Sequence, residues 1–257
     1  MALAAAGFLG AKPADLLGDS AGPPPASAPV WLSLATLANE AAIAAVMLGY
    51  LRFARPRRAE VCPLGRPTAR GLLGALAVVF GAAPWADAAA RWVHGLTRND
   101  VTASLVVARA AAAATPATLA LLLFSVAVVP ALVEEAMFRG LLTAPFLRRS
   151  TAQALVVPSL LFGLFHLEPT QVAGTALLGL AFALARLTTG SLIPGVLAHA
   201  VYNAAVVLSV RSSPPRLDPS IEPAPLVAGA LLAALGVWLL VGARDGGRAS
   251  DPRRPRC

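Results

Sequence analysis

Leu121-Leu122-Leu123-Phe124-Ser125-Val126-Ala127-Val128-Val129-Pro130-Ala131-Leu132-Val133-Glu134-Glu135-Ala136-Met137-Phe138-Arg139 is the stretch that decides the fold of this 257-residue chain. Leu121 to Leu132 carries no ionisable group; Glu134, Glu135 and Arg139 then follow within six positions. So apolar a run belongs in hydrocarbon, where an ionisable side chain is expensive and marks a functional site by default. Two later stretches carry matching polar groups, His166 on one and His199 with Asn203 on the other.

Composition agrees with a membrane setting. Hydrophobic residues make up 57% of the chain and charged residues 13%, whereas soluble domains carry roughly 25% charged residues. Several runs of about 20 apolar residues can each cross a hydrocarbon core of roughly 30 Å as helix. The expected fold is all-α, a polytopic transmembrane bundle of about seven to eight spans. A net charge of +8 raises nucleic acid as a partner. Yet the arginines sit mostly in short loops and the tail, the pattern of the positive-inside rule, so no nucleic-acid partner is expected and the lipid bilayer is. One Lys against twenty Arg, with abundant Ala, is the bias of a GC-rich bacterial genome. Cys62 and Cys257 fall in segments expected to be cytoplasmic, so neither is expected to form a disulfide, and no nearby thiol completes a metal pair.

Outward from the opening stretch, the domain plan has three parts: a flexible segment 1–29, a transmembrane domain 30–242 whose core covers about 120–210, and a basic tail 243–257. Pro23, Pro24 and Pro25 make the first part loop-like, and no basic residue precedes its apolar run, so a secretory signal is not expected. A first span fits Trp31 to Leu51 and contains Glu40, read as facing the bundle interior or snorkelling. Arg52, Arg55, Arg57, Arg58, Arg66 and Arg70 mark the following loop as cytoplasmic in a cell membrane. A second span fits Gly71 to about Val93, with Asp87 and Arg91 spaced to pair at i,i+4. His94 is placed in an external loop.

Val101 to Ala114 is either a span or an interfacial helix, and Thr115-Pro116 restarts the helix that enters the Glu pair. Arg148 and Arg149 close it on the cytoplasmic side. Thr151 to Leu167, Thr170 to Leu187, Ser191 to Val210 and Leu226 to Val241 complete the bundle, with Arg211 to Pro225 as an external loop. The tail, with Arg244, Arg248, Arg253, Arg254 and Arg256, is expected in the cytoplasm. An eighth crossing at Val101 to Ala114 would separate the basic segments onto opposite sides, so seven spans are favoured.

The polar groups divide by spacing. Glu135 and Arg139 are i,i+4 with the acid N-terminal, the better order for a helical ion pair. Glu134 points about 100° away and is free to accept a proton; alternatively both acids simply neutralise Arg139. Glu134 lies 15 residues before Arg149 and His166 lies 16 after Ser150. At about 1.5 Å per residue both stand roughly 22 to 24 Å along their helices, so a hairpin brings them to similar depth. His199 and Asn203, also i,i+4, either hydrogen-bond between helices or converge as donors on a developing oxyanion.

Glu134-Glu135-xxx-Arg139, Phe162-xxx-His166 and His199-xxx-Asn203 resemble the three motifs of the CPBP family, also called Abi. It groups type II CAAX prenyl endopeptidases with bacteriocin-processing and immunity proteins. Pro158-Ser159-Leu160-Leu161-Phe162-Gly163-Leu164-Phe165-His166-Leu167 is similar to the family as well, and the resemblance covers about Ala120 to Val210. It implies an integral-membrane endopeptidase acting on a peptide or membrane-protein substrate. Carried over by position, Glu134 activates water with help from His166. His199 and Asn203 stabilise the oxyanion, and Glu135 with Arg139 supports the site. Two Glu and two His are a possible zinc set, with Glu134, His166 and His199 as the ligands if a metal is used. Metal-independent activation of water by a Glu–His pair is the preferred reading. A His-Glu-x-x-His motif is absent. The other readings are a non-catalytic scaffold or bacteriocin-immunity protein, and an ion- or proton-coupled transporter, although no inverted repeat is evident.

Overall fold

Pro169 marks the turn between two of the expected spans. The computed structural model describes residues 23–97, 103–213 and 220–249, and builds them from helices with no strand among the described residues. In chain order these are α1 (Ala28–Ala54), α2 (Arg58–Val61), α3 (Ala69–Thr97), α4 (Ala103–Ala113), α5 (Pro116–Leu147), α6 (Thr151–Phe165), α7 (Pro169–Thr189), α8 (Ile193–Ser212) and α9 (Pro223–Ala249). The all-α polytopic architecture is as expected. Six helices, α1, α3, α5, α7, α8 and α9, are long and apolar enough to cross a membrane.

The shortfall from seven or eight lies in α4 and α6, the two shorter apolar helices. With 15 residues, α6 is about 22 Å long and stops short of a hydrocarbon core of roughly 30 Å. A residue before proline is pushed out of the helical region. Glu168 accordingly takes φ −90 and ψ 121 ahead of Pro169, and Leu167 sits at φ 60. The chain therefore turns at His166 instead of carrying the helix to Leu167. At the other uncertain point the helix restarts at Pro116 as the sequence suggests, and Thr115 caps it in a capping box with Thr118.

Two smaller expectations are corrected. His94 lies in the last turn of α3, since nothing in Val93-His94-Gly95-Leu96 breaks the helix. Pro225 belongs to the first turn of α9, where a missing N–H costs nothing. Residues 1–22 of the expected flexible segment and 250–257 of the basic tail lie outside the described residues.

Lipid tails are as apolar as leucine, so membrane helices associate by close van der Waals packing instead of by escape from water. α3 and α9 show this: Gly74 faces Leu240, and Gly81 faces Gly229 and Ala233 at separations that leave no room for a Cβ. α6 and α7 form an antiparallel hairpin, with Gly163 against Val172 and Ala176, and Gly179 against Ser159. One core cluster, around Phe138, Phe162, Phe182 and Leu178, joins α3, α5, α6, α7, α8 and α9. A second, around Leu32, Val106, Leu122 and Val207, joins α1, α4, α5 and α8. Only α5 and α8 enter both clusters, and these two helices carry the glutamates and His199.

The basic loop after α1 is tied to one end of the bundle. Leu192 N donates to Pro63 O at 2.9 Å and Ser191 Oγ to Gly65 O at 2.7 Å. Arg148 pairs with Glu60 at 2.6 Å, and Arg70 lies over the Trp238 ring of α9 at 4.6 Å. Arg91 and Asp87 pair at 3.0 Å as their spacing suggests.

Candidate active site

α5 is not a uniform helix. It contains two π-helical stretches, Phe124–Val128 and Ala136–Leu142, on either side of the α-helical Val129–Glu135. Such widened turns often occur at functional sites, and here they bracket the Glu pair. Two side chains answer the backbone groups that this geometry disturbs. Pro130 has no N–H to offer Val126 O four residues back, and Asn203 Nδ2 of α8 donates to that carbonyl at 3.2 Å. Thr143 Oγ1 donates to Phe138 O at 2.7 Å.

Glu135 and Arg139 are both fully buried. Arg139 Nη1 lies 2.9 Å from Glu135 Oε1, so the i,i+4 pair read from the sequence forms. Arg139 Nη2 donates to Gly179 O of α7 at 3.1 Å. Its guanidinium also lies over the rings of Phe162 at 4.3 Å and Phe182 at 5.1 Å, with Phe138 at 5.9 Å. A desolvated cation over an aromatic face gains about 2 kcal/mol or more. Three rings and one carboxylate thus replace the solvent that the guanidinium lacks.

His199 links the two acids. Its Nδ1 donates to Glu135 Oε1 at 3.2 Å, and its Nε2 lies 3.8 Å from Glu134 Oε2, at ion-pair distance but beyond a hydrogen bond. The roughly 100° between successive helical residues therefore does not separate the acids' surroundings: they meet opposite edges of one imidazole. α8 comes this close because residue 195 is glycine. A Cβ there would stand 3.0 Å from Glu135 Oε2. The His199 ring is stacked on Phe182, with centroids 4.6 Å apart and planes at 23°.

Glu134 differs from Glu135 in what it touches. It is buried, 7% exposed, yet makes no hydrogen bond among the described residues. Its charge interacts with those of Glu135, Arg139 and, from α1, Glu40. The interior-facing reading of Glu40 is right: it is 2% exposed, accepts a hydrogen bond from Asn39 Nδ2 at 3.0 Å through Oε1, and has no partner at Oε2.

His166 and His199 share the Phe162 ring, which both meet edge-on. A carbonyl only accepts, so the 2.9 Å contact with Phe162 O places the proton on His166 Nδ1 and leaves Nε2 as an acceptor. The ring meets Phe162 edge-on at 5.1 Å. No hydrogen bond or ion pair joins it to Glu134. Glu134, His166 and His199 do not gather into a metal-holding set, since no three His, Cys, Asp or Glu among the described residues converge on one point. The residues present therefore do not fit the zinc reading. Sequence reasoning also missed Pro130, Gly195 and Phe182. Pro130 was visible as a proline inside a helical run, whereas Phe182 looks like any apolar residue of a span.

Residues 116–205 match the family model described as Type II CAAX prenyl endopeptidase Rce1-like. That segment runs from the first turn of α5 to the middle of α8 and contains all three motifs. The resemblance read in the sequence therefore holds over the helices that build the site. No match is found among curated proteins or among solved structures.

Proposed function

From a core that matches a family of CAAX-type membrane endopeptidases, we propose that this protein hydrolyses a peptide bond within a membrane-embedded site. Glu134 takes a proton from water while the water oxygen adds to the scissile carbonyl carbon, giving a tetrahedral oxyanion. The proton then passes to the peptide nitrogen as the C–N bond breaks. His166 assists through Nε2, which its bond to Phe162 leaves open. His199 and Asn203 stabilise the oxyanion; because Nδ1 of His199 already serves Glu135, that role requires protons on both ring nitrogens. Asn203 has a second amide hydrogen beyond the one given to Val126. Glu135 and Arg139 hold the site together. The substrate is a peptide or a membrane protein. We place the basic loop and the start of the tail together on the cytoplasmic side, supported by their common end of the bundle and the Arg bias.

The observation that carries this reading is the division between the two acids. Glu135 is occupied by Arg139 and His199, while Glu134 is held in a low-dielectric site with no hydrogen bond of its own. The test compares peptides in cells carrying wild type or Glu134→Gln. A fragment present only with wild type supports the enzyme and identifies its substrate. Equal peptide profiles overturn it, provided both proteins accumulate to the same level.

A second reading has its own support. Asn203 and His199 both make contacts that fasten α8 to α5, as they would in a non-catalytic scaffold. Under that reading Glu134→Gln and His166→Ala destabilise the protein, and the wild type cleaves nothing.

A further inference from the structure

Phe182 lies on α7, a helix that contributes no polar side chain to the site described above, although its Gly179 carbonyl receives Arg139. The residue is 1% exposed. Its ring covers one face of His199 at 4.6 Å and 23°, and Arg139 Cζ lies 5.1 Å from the same ring. The ring is itself braced by Phe162, edge-on at 6.3 Å and 87°. Phe162 also meets His199 edge-on, at 5.9 Å and 90°.

The contacts at the edges of His199 leave its orientation incompletely fixed. The last torsion of a histidine side chain is broad and not confined to sharp staggered wells. A hydrogen bond at Nδ1 holds one edge of the ring, and Nε2, at 3.8 Å from Glu134, is held by no bond. The imidazole is therefore free to roll about its Nδ1 contact unless something meets its face. Phe182 supplies that face as an offset, nearly parallel stack, a preferred arrangement for aromatic rings. In a lipid setting, where packing contacts do the work of association, a flat surface constrains a ring in a way that an aliphatic side chain of similar bulk does not.

We propose that Phe182 is a positioning residue for His199, a planar shelf that aims Nε2 towards Glu134 while Nδ1 stays on Glu135. It acts through the imidazole and touches no reacting atom. The catalytic consequence rests on the endopeptidase reading; the geometric one does not.

Only three histidines occur in the chain, so ring-labelled histidine gives a spectrum simple enough to assign with His94→Ala and His166→Ala. The full chain is compared as wild type, Phe182→Leu and Phe182→Tyr in lipid nanodiscs. Leucine keeps an apolar filling and tyrosine keeps the ring. The expected result is a ring-current displacement of the His199 ring protons in wild type and Phe182→Tyr that disappears in Phe182→Leu. With a farnesylated, internally quenched CAAX peptide as probe, kcat falls at least tenfold in Phe182→Leu with KM within twofold, and Phe182→Tyr stays within threefold of wild type. The proposal is overturned if His199 resonates alike in all three proteins. It is also overturned if leucine and tyrosine variants lose activity and thermal stability in parallel, the signature of a volume role alone. If wild type leaves the peptide intact, the endopeptidase reading fails for that probe while the resonance comparison still decides the shelf.

Discussion

His199 Nδ1 lies 3.2 Å from Glu135 Oε1, and that single contact joins the two helices that take part in both halves of the core. Glu135 is thereby shared between a guanidinium on its own helix and an imidazole on another. Its importance is structural before it is chemical, and the following expectations start from that distinction.

Glu135→Gln lowers the thermal midpoint in detergent, whereas Glu134→Gln leaves it within a degree or two, because only Glu135 has bonds to lose. Arg139→Met alone costs about 3–5 kcal/mol, the usual penalty for stranding one partner of a buried pair. Arg139→Met combined with Glu135→Leu recovers only part of that loss, because His199 Nδ1 then loses its carboxylate. Equal midpoints for Glu134→Gln and Glu135→Gln would contradict the division of roles.

Gly195→Ala places a methyl group 3.0 Å from Glu135 Oε2. Displacement of α8 or of the carboxylate is expected to cost about 1–3 kcal/mol, as overpacking does elsewhere. Denaturant titration of the purified variant reads this directly, and an unaltered midpoint would mean that Glu135 moves without penalty.

Pro130 and Asn203 should be coupled. In the wild type, Asn203→Ala removes the bond to Val126 O and costs about 0.5–1.5 kcal/mol. In a Pro130→Ala background the restored N–H serves Val126 instead, and the same substitution costs less than half as much. A double-mutant cycle with no interaction energy would show that the two residues do not share the carbonyl.

Glu40→Leu is expected to raise stability by about 1–3 kcal/mol, the penalty attached to an unsatisfied buried polar group. Glu40 is buried with one oxygen unpartnered and its charge interacts with that of Glu134. A fall in the thermal midpoint would show that the carboxyl supports the fold.

What could be read without coordinates was set by how local the interaction is. The Glu135–Arg139 pair and the Asp87–Arg91 pair each lie within one helical turn, so spacing alone finds them. The end of α6 falls two residues before the expected Leu167, because hydropathy does not register the turn that puts Leu167 at φ 60. The site was only partly legible. Motif spacing singled out Glu134, Glu135, Arg139 and His199, but the contact of His199 with both acids depends on how near α8 approaches α5. The approach is set by Gly195, whose relevance is invisible until the neighbouring helix is in place. Phe182 had no sequence signal, since one more aromatic in a span changes neither periodicity nor charge.

Both members of the Glu135–Arg139 pair belong to the same helix, which bears on how the protein enters its bilayer. A segment leaving the translocation machinery is partitioned into lipid largely on its own composition, and central charges count heavily against it. Because acid and base sit one turn apart, α5 can neutralise them during insertion without a partner from another helix. Glu40 on α1 has no such companion within a turn. Membrane entry of α5 is therefore made easier by the pair that later anchors its assembly, whereas α1 carries its carboxyl into the bilayer without that help.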